Sequence, residues 1–265
     1  MLKKNSLFFV SLFLIFSMSG CSSKDIQTPN TTQQTVSGNV QQDDSELSEF
    51  SGEFETKEVF DPLSGYNRFM TNVNDSIYEY FLKPVAKGYK YVLHEEVRIS
   101  ISNAFDNLYF PMRFVNNILQ GKFYNASEEA GRFVVNSTVG VLGLFDPAKN
   151  YCNLQAHEED FGQTLGFYGV GGGFHIVLPL LGPSNLRDAI SLYPDSLLSP
   201  IDYTERDYWT LTDTTAEYLA VKSLEKINYV SLNMQRYDKM KEDAVDLYPY
   251  FRDIYEQYRD NQIKE

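Results

Sequence analysis

The sequence FVVNSTVGVLGLFDP, residues 133–147, has no charged side chain between Arg132 and Asp146 and is apolar on nearly every side. A helix of this kind lies in a protein core or faces lipid, and a helix that crosses a bilayer needs about 20 apolar residues. The stretch therefore predicts either a buried core element or a re-entrant hairpin against lipid. In the hairpin, Gly140 or Gly143 would lie near the bend.

Helical periodicity surrounds this stretch on both sides. Apolar residues recur at steps of three and four, which is typical of a helix with one buried face. The predicted stripes lie at residues 66–81, 97–108, 114–119, 216–234 and 250–258. Alternation with a period of two is scarce, and the clearest short strand is Phe174–Leu178, ended by Pro179. The sequence therefore predicts a mainly α fold with few short strands.

Local signals predict several helix boundaries. Lys83-Pro84 is expected to break or restart the first helix, because proline lacks the backbone N–H that a helix needs. Gly121 is expected to end a later helix. Asn125, followed three residues later by Glu128, looks like a capping box that starts the next helix.

A second unusual stretch, FGQTLGFYGVGGGF, covers residues 161–174 and contains six glycines. Glycine at this density predicts unusual backbone angles, close approach of a neighbouring segment, or open space that side chains would otherwise fill. A dinucleotide-binding loop would need a strand before it and a helix after it within a βαβ unit. The surrounding pattern predicts no such unit, so a nucleotide site is not expected.

The N-terminus has the features of a secretory signal. Lys3 and Lys4 precede a compact apolar run over residues 7–16, and small residues directly precede Cys21. Small residues in this place resemble the lipobox of bacterial lipoproteins, in which the Cys thiol carries a diacylglyceryl group. Residues 1–20 are therefore predicted to be a lipoprotein signal peptide, and Cys21 is predicted to be the lipidated residue.

The segments after the signal differ sharply in composition. Ser22 follows the cysteine in place of aspartate, which, by resemblance to lipoprotein sorting rules, implies the outer membrane and its periplasmic face. Residues 21–58 are polar and acidic with isolated apolar side chains, which predicts a disordered tether. Residues 59–265 hold nearly all the aromatic and branched aliphatic side chains and are predicted to form one domain.

The overall charge is strongly negative. Acidic residues outnumber basic residues by 36 to 23, so the formal net charge is −13. Nucleic-acid binders depend on Lys and Arg to neutralise phosphates, and the acidic balance therefore argues against a nucleic-acid partner. The 19 Tyr and 19 Phe residues fit either a Tyr-rich core and surface or a belt at a membrane interface.

Several short motifs follow one another along residues 60–200. They are Asp61-Pro62-Leu63-Ser64-Gly65-Tyr66-Asn67-Arg68, Lys83-Pro84-Val85-Ala86, Asn136–Asp146, Glu159–Gly171 and Gly182–Asp188. In this order they resemble the MlaA family, also called VacJ, of outer-membrane lipoproteins that maintain lipid asymmetry. Ser64 and Tyr66 depart from the family's Glu and Phe, and the resemblance is looser over residues 201–265. The residues that match the opening family motif are Asp61, Pro62, Gly65, Asn67 and Arg68.

The resemblance implies a single helical ring or disc embedded in the periplasmic leaflet, with an amphipathic channel through it. It implies that misplaced phospholipid leaves the outer leaflet through this channel for a periplasmic carrier, which feeds an inner-membrane ABC-type complex. It also implies binding to trimeric porins. The residues predicted to form the lipid passage are Val139, Gly140, Val141, Leu142, Gly143, Leu144, Phe145, Gly169, Gly171, Gly172, Gly173 and Phe174.

Two other functions remain as alternatives: a phospholipid-hydrolysing lipoprotein and a porin-associated structural lipoprotein without transport. A serine lipase would carry Gly-x-Ser-x-Gly, and the stretch Gly182–Leu186 lacks the closing glycine. The three histidines form no His-Glu-x-x-His zinc motif, and no phosphate loop is present. The sequence therefore predicts no enzyme, no catalytic residue, no metal and no cofactor.

The lipobox resemblance predicts the behaviour of a Cys21→Ala variant. Without a thiol to lipidate, the chain is expected to lose its anchor, since stable membrane attachment needs two or more acyl chains. Intact-mass measurement and membrane fractionation check this. Acyl mass on the variant, together with unchanged fractionation with the outer membrane, would contradict lipidation at Cys21.

Overall fold

A computed structural model describes residues 60–201 and 211–265 of the chain. The chain divides into two units, Met1–Lys57 and Glu58–Glu265. The predicted signal peptide, Cys21 and the tether to residue 58 lie outside the described residues. The described part is mainly helical, which confirms the predicted fold class.

The described part contains ten α-helices, one π-helical segment and one sheet of two strands. The helices are α1 Ser64–Ile77, α2 Lys83–Val92, α3 Glu95–Leu108, α4 Phe110–Leu119, α5 Phe123–Thr138, α6 Pro147–Cys152, α7 Phe161–Phe167, α8 Leu186–Leu198, α9 Thr215–Asp243 and α10 Leu247–Lys264. The π-helical segment is Tyr78–Leu82, and the strands are β1 His175–Leu178 and β2 Gly182–Asn185.

The restart predicted at Lys83-Pro84 is a change of helix type rather than a gap. The backbone N–H of Lys83 donates to the carbonyl of Tyr78, five residues earlier, and Pro84 lies in the first turn of α2. In an α-helix the proline ring clashes with the carbonyl four residues before it. The wider π turn relieves this clash, so α1 leads into α2 without a loop.

The start predicted for α5 is wrong. The helix begins at Phe123, and Asn125 lies within its first turn rather than at its cap. Gly121, with a φ of +74°, ends α4 as predicted, and the N–H of Ala126 already donates to the carbonyl of Lys122. The connection between the two helices is therefore too short to leave Asn125 outside α5.

The predicted strand is confirmed, and its partner strand was not predicted. β1 pairs antiparallel with β2, with His175 opposite Asn185 and Leu178 opposite Gly182. Leu180 and Gly182 have φ values of +63° and +96°, which reverse the chain within a short turn. β2 contains a proline and no alternating apolar residues, so it carries no pattern that could have predicted it.

The polarity of the packing is reversed relative to an ordinary soluble domain. Among the described residues, eight hydrophobic residues are buried, whereas twenty-four buried residues are polar or charged. Many large apolar side chains are exposed, including Phe69, Tyr91 and Ile190. Soluble monomers rarely expose large contiguous apolar patches, and proteins that contact membranes do. The described part therefore has a mainly polar interior and a surface with many exposed apolar side chains.

The long helix α9 contacts α2 and α3 through a small apolar core and buried polar bonds. Tyr78 and Val230 belong to the apolar cluster. Beside it, the buried Arg98 guanidinium donates from Nη1 to the Ser231 carbonyl at 2.8 Å, and Asn228 Nδ2 donates to the Arg98 carbonyl at 2.9 Å. These bonds fix α9 against α3 without a large apolar interface.

Asn67, from the opening family motif, connects α1 to β1. Its side chain is fully buried. Asn67 Nδ2 donates to the Asp61 carboxylate at 3.1 Å and to the His175 carbonyl at 3.0 Å, and Asn67 Oδ1 accepts from the Val177 N–H at 2.9 Å. Tyr248, at the start of α10, donates to the same Asp61 carboxylate. One amide therefore holds three segments that are distant in sequence.

The motif also includes residues that act locally. Arg68 pairs with Asp246 at the start of α10. Pro62 lies in the turn before α1. A Cβ on Gly65 would meet nothing within 4 Å, so no neighbour requires a glycine there. Within the motif, Asp61, Asn67 and Arg68 thus join α1, β1 and α10.

The variant Asn67→Ala is expected to destabilise the protein by roughly 2–4 kcal/mol, because each buried polar group left without a partner costs about 1–3 kcal/mol. The matched control is Asn72→Ala, on the exposed side of the same helix. Thermal melting of both variants in detergent checks this. Equal melting temperatures for the two variants would contradict the role of Asn67.

Candidate functional site

The predicted hairpin residues form an exposed apolar loop between α5 and α6. Val139, Leu142 and Phe145 are 71%, 73% and 59% exposed. Val141 and Leu142 have positive φ values of 55° and 59°, a conformation that costs free energy for residues with a Cβ. The surrounding structure therefore forces apolar side chains outward at this point. We call residues 139–145 the apolar loop.

Close backbone packing holds the apolar loop in place. The N–H of Gly143 donates to the Asn136 carbonyl and the N–H of Phe145 donates to the Gly140 carbonyl, both at 2.9 Å. A Cβ on Gly143 would lie 2.5 Å from Asn107 Cβ, and a Cβ on Gly140 would lie 2.5 Å from the Asn136 and Phe145 carbonyl oxygens. Both glycines are therefore required by contact, and the bend itself lies at residues 141–143.

A polar base fixes the apolar loop from the inner side. The Asp146 carboxylate accepts from Arg132 Nη2 and from Asn136 Nδ2, each at 2.9 Å. Burial opposes the ionisation of Asp146, but hydrogen bonds from the Lys149 N–H, Asn136 and Arg132 outweigh it and lower its pKa. The loop thus carries apolar side chains outward on a charged, hydrogen-bonded support.

The predicted glycine-rich passage residues fall into two groups. A Cβ on Gly169 or Gly171 would meet nothing within 4 Å, whereas a Cβ on Gly172 would lie 2.9 Å from Asn185 Nδ2 and one on Gly173 3.0 Å from Leu186 Cβ. Phe174 follows directly, and its carbonyl accepts from the Leu186 N–H at 3.1 Å. Open space therefore exists at the first two glycines, and close packing against the start of α8 exists at the last two.

One cavity of the described structure has a volume of about 490 Å³. One part of its lining is apolar, with Met112, Leu178, Leu181, Pro183 and Leu192. The rest is polar, and its charged residues are Asp106, Arg113, Glu158, Glu159, Asp160, Asp188, Asp195 and Arg259. The cavity is thus amphipathic. Neither the apolar loop nor residues 169–174 contribute to its lining.

Arg259, on α10, joins two acidic residues of the cavity wall. Its guanidinium contacts the Asp160 carboxylate at 2.6 and 2.8 Å and the Asp188 carboxylate at 2.9 and 3.0 Å. Burial opposes the ionisation of Asp188, but hydrogen bonds from Arg187, Arg259 and Tyr255 outweigh it and lower its pKa. This bridge connects the start of α7, the first turn of α8 and the last turns of α10.

Two other acidic residues of the cavity have raised pKa values. Burial, together with the nearby Asp160 charge, raises the pKa of Asp195 to about 7. The Asp195 carboxylate accepts from the Phe161 N–H at 3.0 Å and from Asn116 Nδ2 at 3.2 Å. Burial raises the pKa of Asp106 to about 6, and solvent reaches this side chain. Desolvation is thus the main cause of the raised pKa of both carboxyl groups.

A smaller cavity of about 190 Å³ lies beside the first. Leu181 and Pro183 line both, so the turn and start of β2 form the wall between them. Tyr78, Met234 and Phe251 are among its other lining residues. Burial lowers the pKa of Lys226 at its edge.

His175 is the histidine with the nearest resemblance to a catalytic base. It is buried, and its Nδ1 lies 2.9 Å from Glu256 Oε1. In hydrolases such a pair orients a base whose other nitrogen contacts a nucleophile. His175 Nε2 has no hydrogen-bond partner in the described structure. The nearby Ser184 lies within β2, and its hydroxyl donates a hydrogen bond to the Asn185 carbonyl. No nucleophile–base pair is therefore formed here.

Sequence reasoning singled out the apolar loop and the glycine run, but it missed the cavity wall. Asp160 and Asp188 lie within the family motifs, but the sequence predictions include no role for them or for Asp195 and Arg259. Gly162 and Gly166 carry no separate prediction either. A Cβ on Gly162 would overlap the Asp188 carboxylate, and a Cβ on Gly166 would overlap Ile263. For Asp188 and Asp195 the available signal was an acidic residue within a mostly apolar helical segment, where an ionised group is costly to bury unless it is paired.

Within residues 60–201 and 211–265, no helix is long and apolar enough to cross a membrane. The same residues contain no group of three His, Cys, Asp or Glu side chains arranged to hold a metal ion.

The polar interior, the apolar surface and the amphipathic cavity together define a class of helical protein suited to contact with lipid. The chain belongs to the MlaA lipoprotein family, whose family model matches residues 59–262. The resemblance seen in the sequence motifs is thus confirmed.

Individual relatives align with different fractions of the chain. An uncharacterised protein of Rickettsia bellii (strain RML369-C) is 30% identical over 210 residues, which is 78% of each protein. The intermembrane phospholipid transport system lipoprotein MlaA of Shigella flexneri is 37% identical over 142 residues, 51% of this chain and 57% of that protein. A solved structure described under "Structural basis for maintenance of bacterial outer membrane lipid asymmetry" matches with a TM-score of 0.65 and 30% identity, covering 77% of this chain and 98% of that one.

The raised pKa of Asp195 predicts a pH-dependent stability. Between its ordinary pKa of 3.8 and its folded-state pKa of about 7, the folded protein binds more protons than the unfolded chain. The contribution of Asp195 to the free energy of unfolding therefore falls as the pH rises through that window. Asp195→Asn removes the charge and keeps one oxygen to accept from Phe161. We expect it to gain on the order of 1 kcal/mol relative to wild type at about pH 8, and much less at about pH 5.

Melting curves of the detergent-solubilised protein at both pH values check this expectation. Asp260→Asn, an exposed acidic residue on α10 outside the cavity lining, is the control for a simple change of net charge. A difference between wild type and Asp195→Asn that stays constant with pH would contradict the raised pKa.

Proposed function

We propose that this chain is an outer-membrane lipoprotein, anchored through Cys21 on the periplasmic face, that removes mislocalised phospholipids from the outer leaflet. It passes them to a periplasmic carrier protein that feeds an inner-membrane ABC-type complex, and so maintains lipid asymmetry. A trimeric porin is the proposed partner within the membrane. The single observation that carries the proposal is the amphipathic cavity inside a protein of apolar surface.

Such transport needs a shielded path. A phospholipid has about 30 acyl methylenes, and exposing each to water costs about 0.8 kcal/mol, so free release costs roughly 24 kcal/mol. Spontaneous exit at that barrier is negligible. A protein that moves the lipid must therefore cover the chains while it admits the polar headgroup.

The cavity supplies both kinds of surface. Charged and hydroxyl groups such as Tyr255 and Tyr258 can replace the water around a headgroup. Met112, Leu178 and Leu192, on the other part of the lining, can contact the chain methylenes next to it. We propose that lipid passes through this cavity, with the headgroup on the polar wall.

We propose that the apolar loop seats the protein among acyl chains. Val139, Leu142 and Phe145 point away from a charged base, and this separation supports insertion of the tip into the leaflet. The open space beside Gly169 and Gly171 supports their predicted place along the lipid route. The packed Gly172 and Gly173 are proposed to hold that route against α8.

We further propose that the chain acts by transfer and not by hydrolysis. The His175–Glu256 pair lacks a nucleophile in the described structure. A purely structural porin spacer would have no use for an amphipathic cavity with exposed lining residues. The observations therefore favour a lipid carrier over both alternatives.

Narrowing the cavity tests the proposal. Leu192→Trp adds bulk at a lining residue that is partly exposed, so the side chain can be accommodated without unfolding. We expect outer-leaflet phospholipid to rise several-fold, toward the level of a strain that lacks the protein, because the enlarged side chain obstructs the passage. The measurement pairs surface-exposed phospholipid with protein abundance and melting temperature.

Leu197→Trp is the matched control, since Leu197 lies on the same helix, is similarly exposed and does not line the cavity. Wild-type lipid asymmetry in a stable, abundant Leu192→Trp protein would contradict passage through the cavity. An equal defect in both variants would do so as well.

A further inference from the structure

The charge of the cavity lining is unbalanced. Its lining contains six acidic side chains and two arginines, an excess of four negative charges. A lining that simply attracts the phosphate common to all phospholipids would need the opposite balance. The negative charge of the lining is therefore expected to influence which phospholipid headgroups enter the cavity.

Both arginines of the lining are already engaged by protein carboxylates. Arg259 is held between Asp160 and Asp188. Arg113 Nε donates to the fully buried Glu129 at 2.9 Å, and its Nη1 donates to the Asp106 carbonyl at 2.8 Å. All three guanidinium nitrogens of Arg259 and two of those of Arg113 are therefore already used in protein hydrogen bonds, which limits the capacity of both side chains to bind a phosphate.

Three carboxylates of the lining have no such partner. Asp106, Glu158 and Asp195 form no ion pair with any side chain of the described structure, whereas Glu159 pairs with Lys122 at 2.7 Å. Two of the three belong to separate helices, α3 and α8, that face the same space. At a pH above the raised pKa values of Asp106 and Asp195, the cavity therefore presents negative charge from more than one side.

Resting on the proposed passage, we infer that the cavity selects among phospholipids by headgroup charge. It admits lipids whose headgroup carries a cationic amine and no net charge, of the ethanolamine type, in preference to net-anionic lipids of the glycerol type. The amine is attracted by Asp106, Glu158 and Asp195, and it offsets the lipid phosphate that these groups repel. A net-anionic headgroup has no such compensation and is repelled by these carboxylates.

The test uses the full lipidated chain at about pH 8, where both Asp106 and Asp195 are largely ionised. The vesicles contain equimolar dioleoyl phosphatidylethanolamine and dioleoyl phosphatidylglycerol. Both lipids carry the same photoactivatable diazirine in the acyl chain, so that only the headgroups differ. After irradiation, peptide mass spectrometry counts adducts of each lipid on the α8 peptide that contains Leu192 and on the apolar-loop peptide that contains Leu142. The loop peptide reports the lipid composition outside the cavity.

We expect the ethanolamine-to-glycerol adduct ratio on the α8 peptide to exceed that on the loop peptide by on the order of tenfold, which corresponds to about 1.4 kcal/mol. The double variant Asp106→Asn/Asp195→Asn is expected to lower this excess several-fold. Asp260→Asn, which removes a charge outside the lining, is expected to leave it unchanged. Melting curves confirm that each variant is folded.

Equal ratios on the two peptides, or an excess that the double variant does not change, would overturn charge selection while leaving the passage in place. A complete absence of adducts on the α8 peptide, with adducts present on the loop, would overturn the passage itself and the selection with it. The two failures are therefore distinguishable in one experiment.

Discussion

The bridge from Arg259 to Asp160 and Asp188 is the interaction on which the cavity depends. It joins helices α7, α8 and α10, whose sequences are separated by up to 99 residues. Burial of either carboxylate alone would be costly, and the shared guanidinium offsets the cost for both at once. Removal of the cation would leave two like charges facing one another in a site with little water. Loss of the Arg259 side chain alone is therefore expected to destabilise the wall of the cavity strongly.

The same constraint explains the reversed polarity of the described structure. A protein whose surface faces lipid gains little by burying apolar side chains, since lipid chains are equally apolar. Its interior can instead hold polar groups, provided that each one finds a partner. Asn67 and Glu129 are fully buried and meet this condition through several bonds each. Specific hydrogen bonds thus replace the large apolar core of a soluble domain.

Glycine makes this dense polar packing possible. Gly140 and Gly143 allow the apolar loop to lie against Asn136 and Asn107, and Gly162 allows α7 to approach the Asp188 carboxylate. In each case a Cβ would occupy the position of a polar atom or backbone group. The glycines of the described structure therefore fall into two groups. Those named above allow close contact, whereas Gly169 and Gly171 lie beside open space.

The sequence by itself determined the mainly helical class, strand β1, the end of α4 at Gly121 and the family, because local periodicity and ordered motifs carry that information. Only the tertiary structure decided the start of α5, the pairing of β2 and the roles of Asp195 and Arg259. The start of α5 and the pairing of β2 depend on backbone geometry that the residue types there do not reveal, and the roles of Asp195 and Arg259 depend on contacts with residues far away in the chain. The free energy of a buried charge depends on the groups that surround it in space. The role of such a residue can therefore be assigned only from the folded structure.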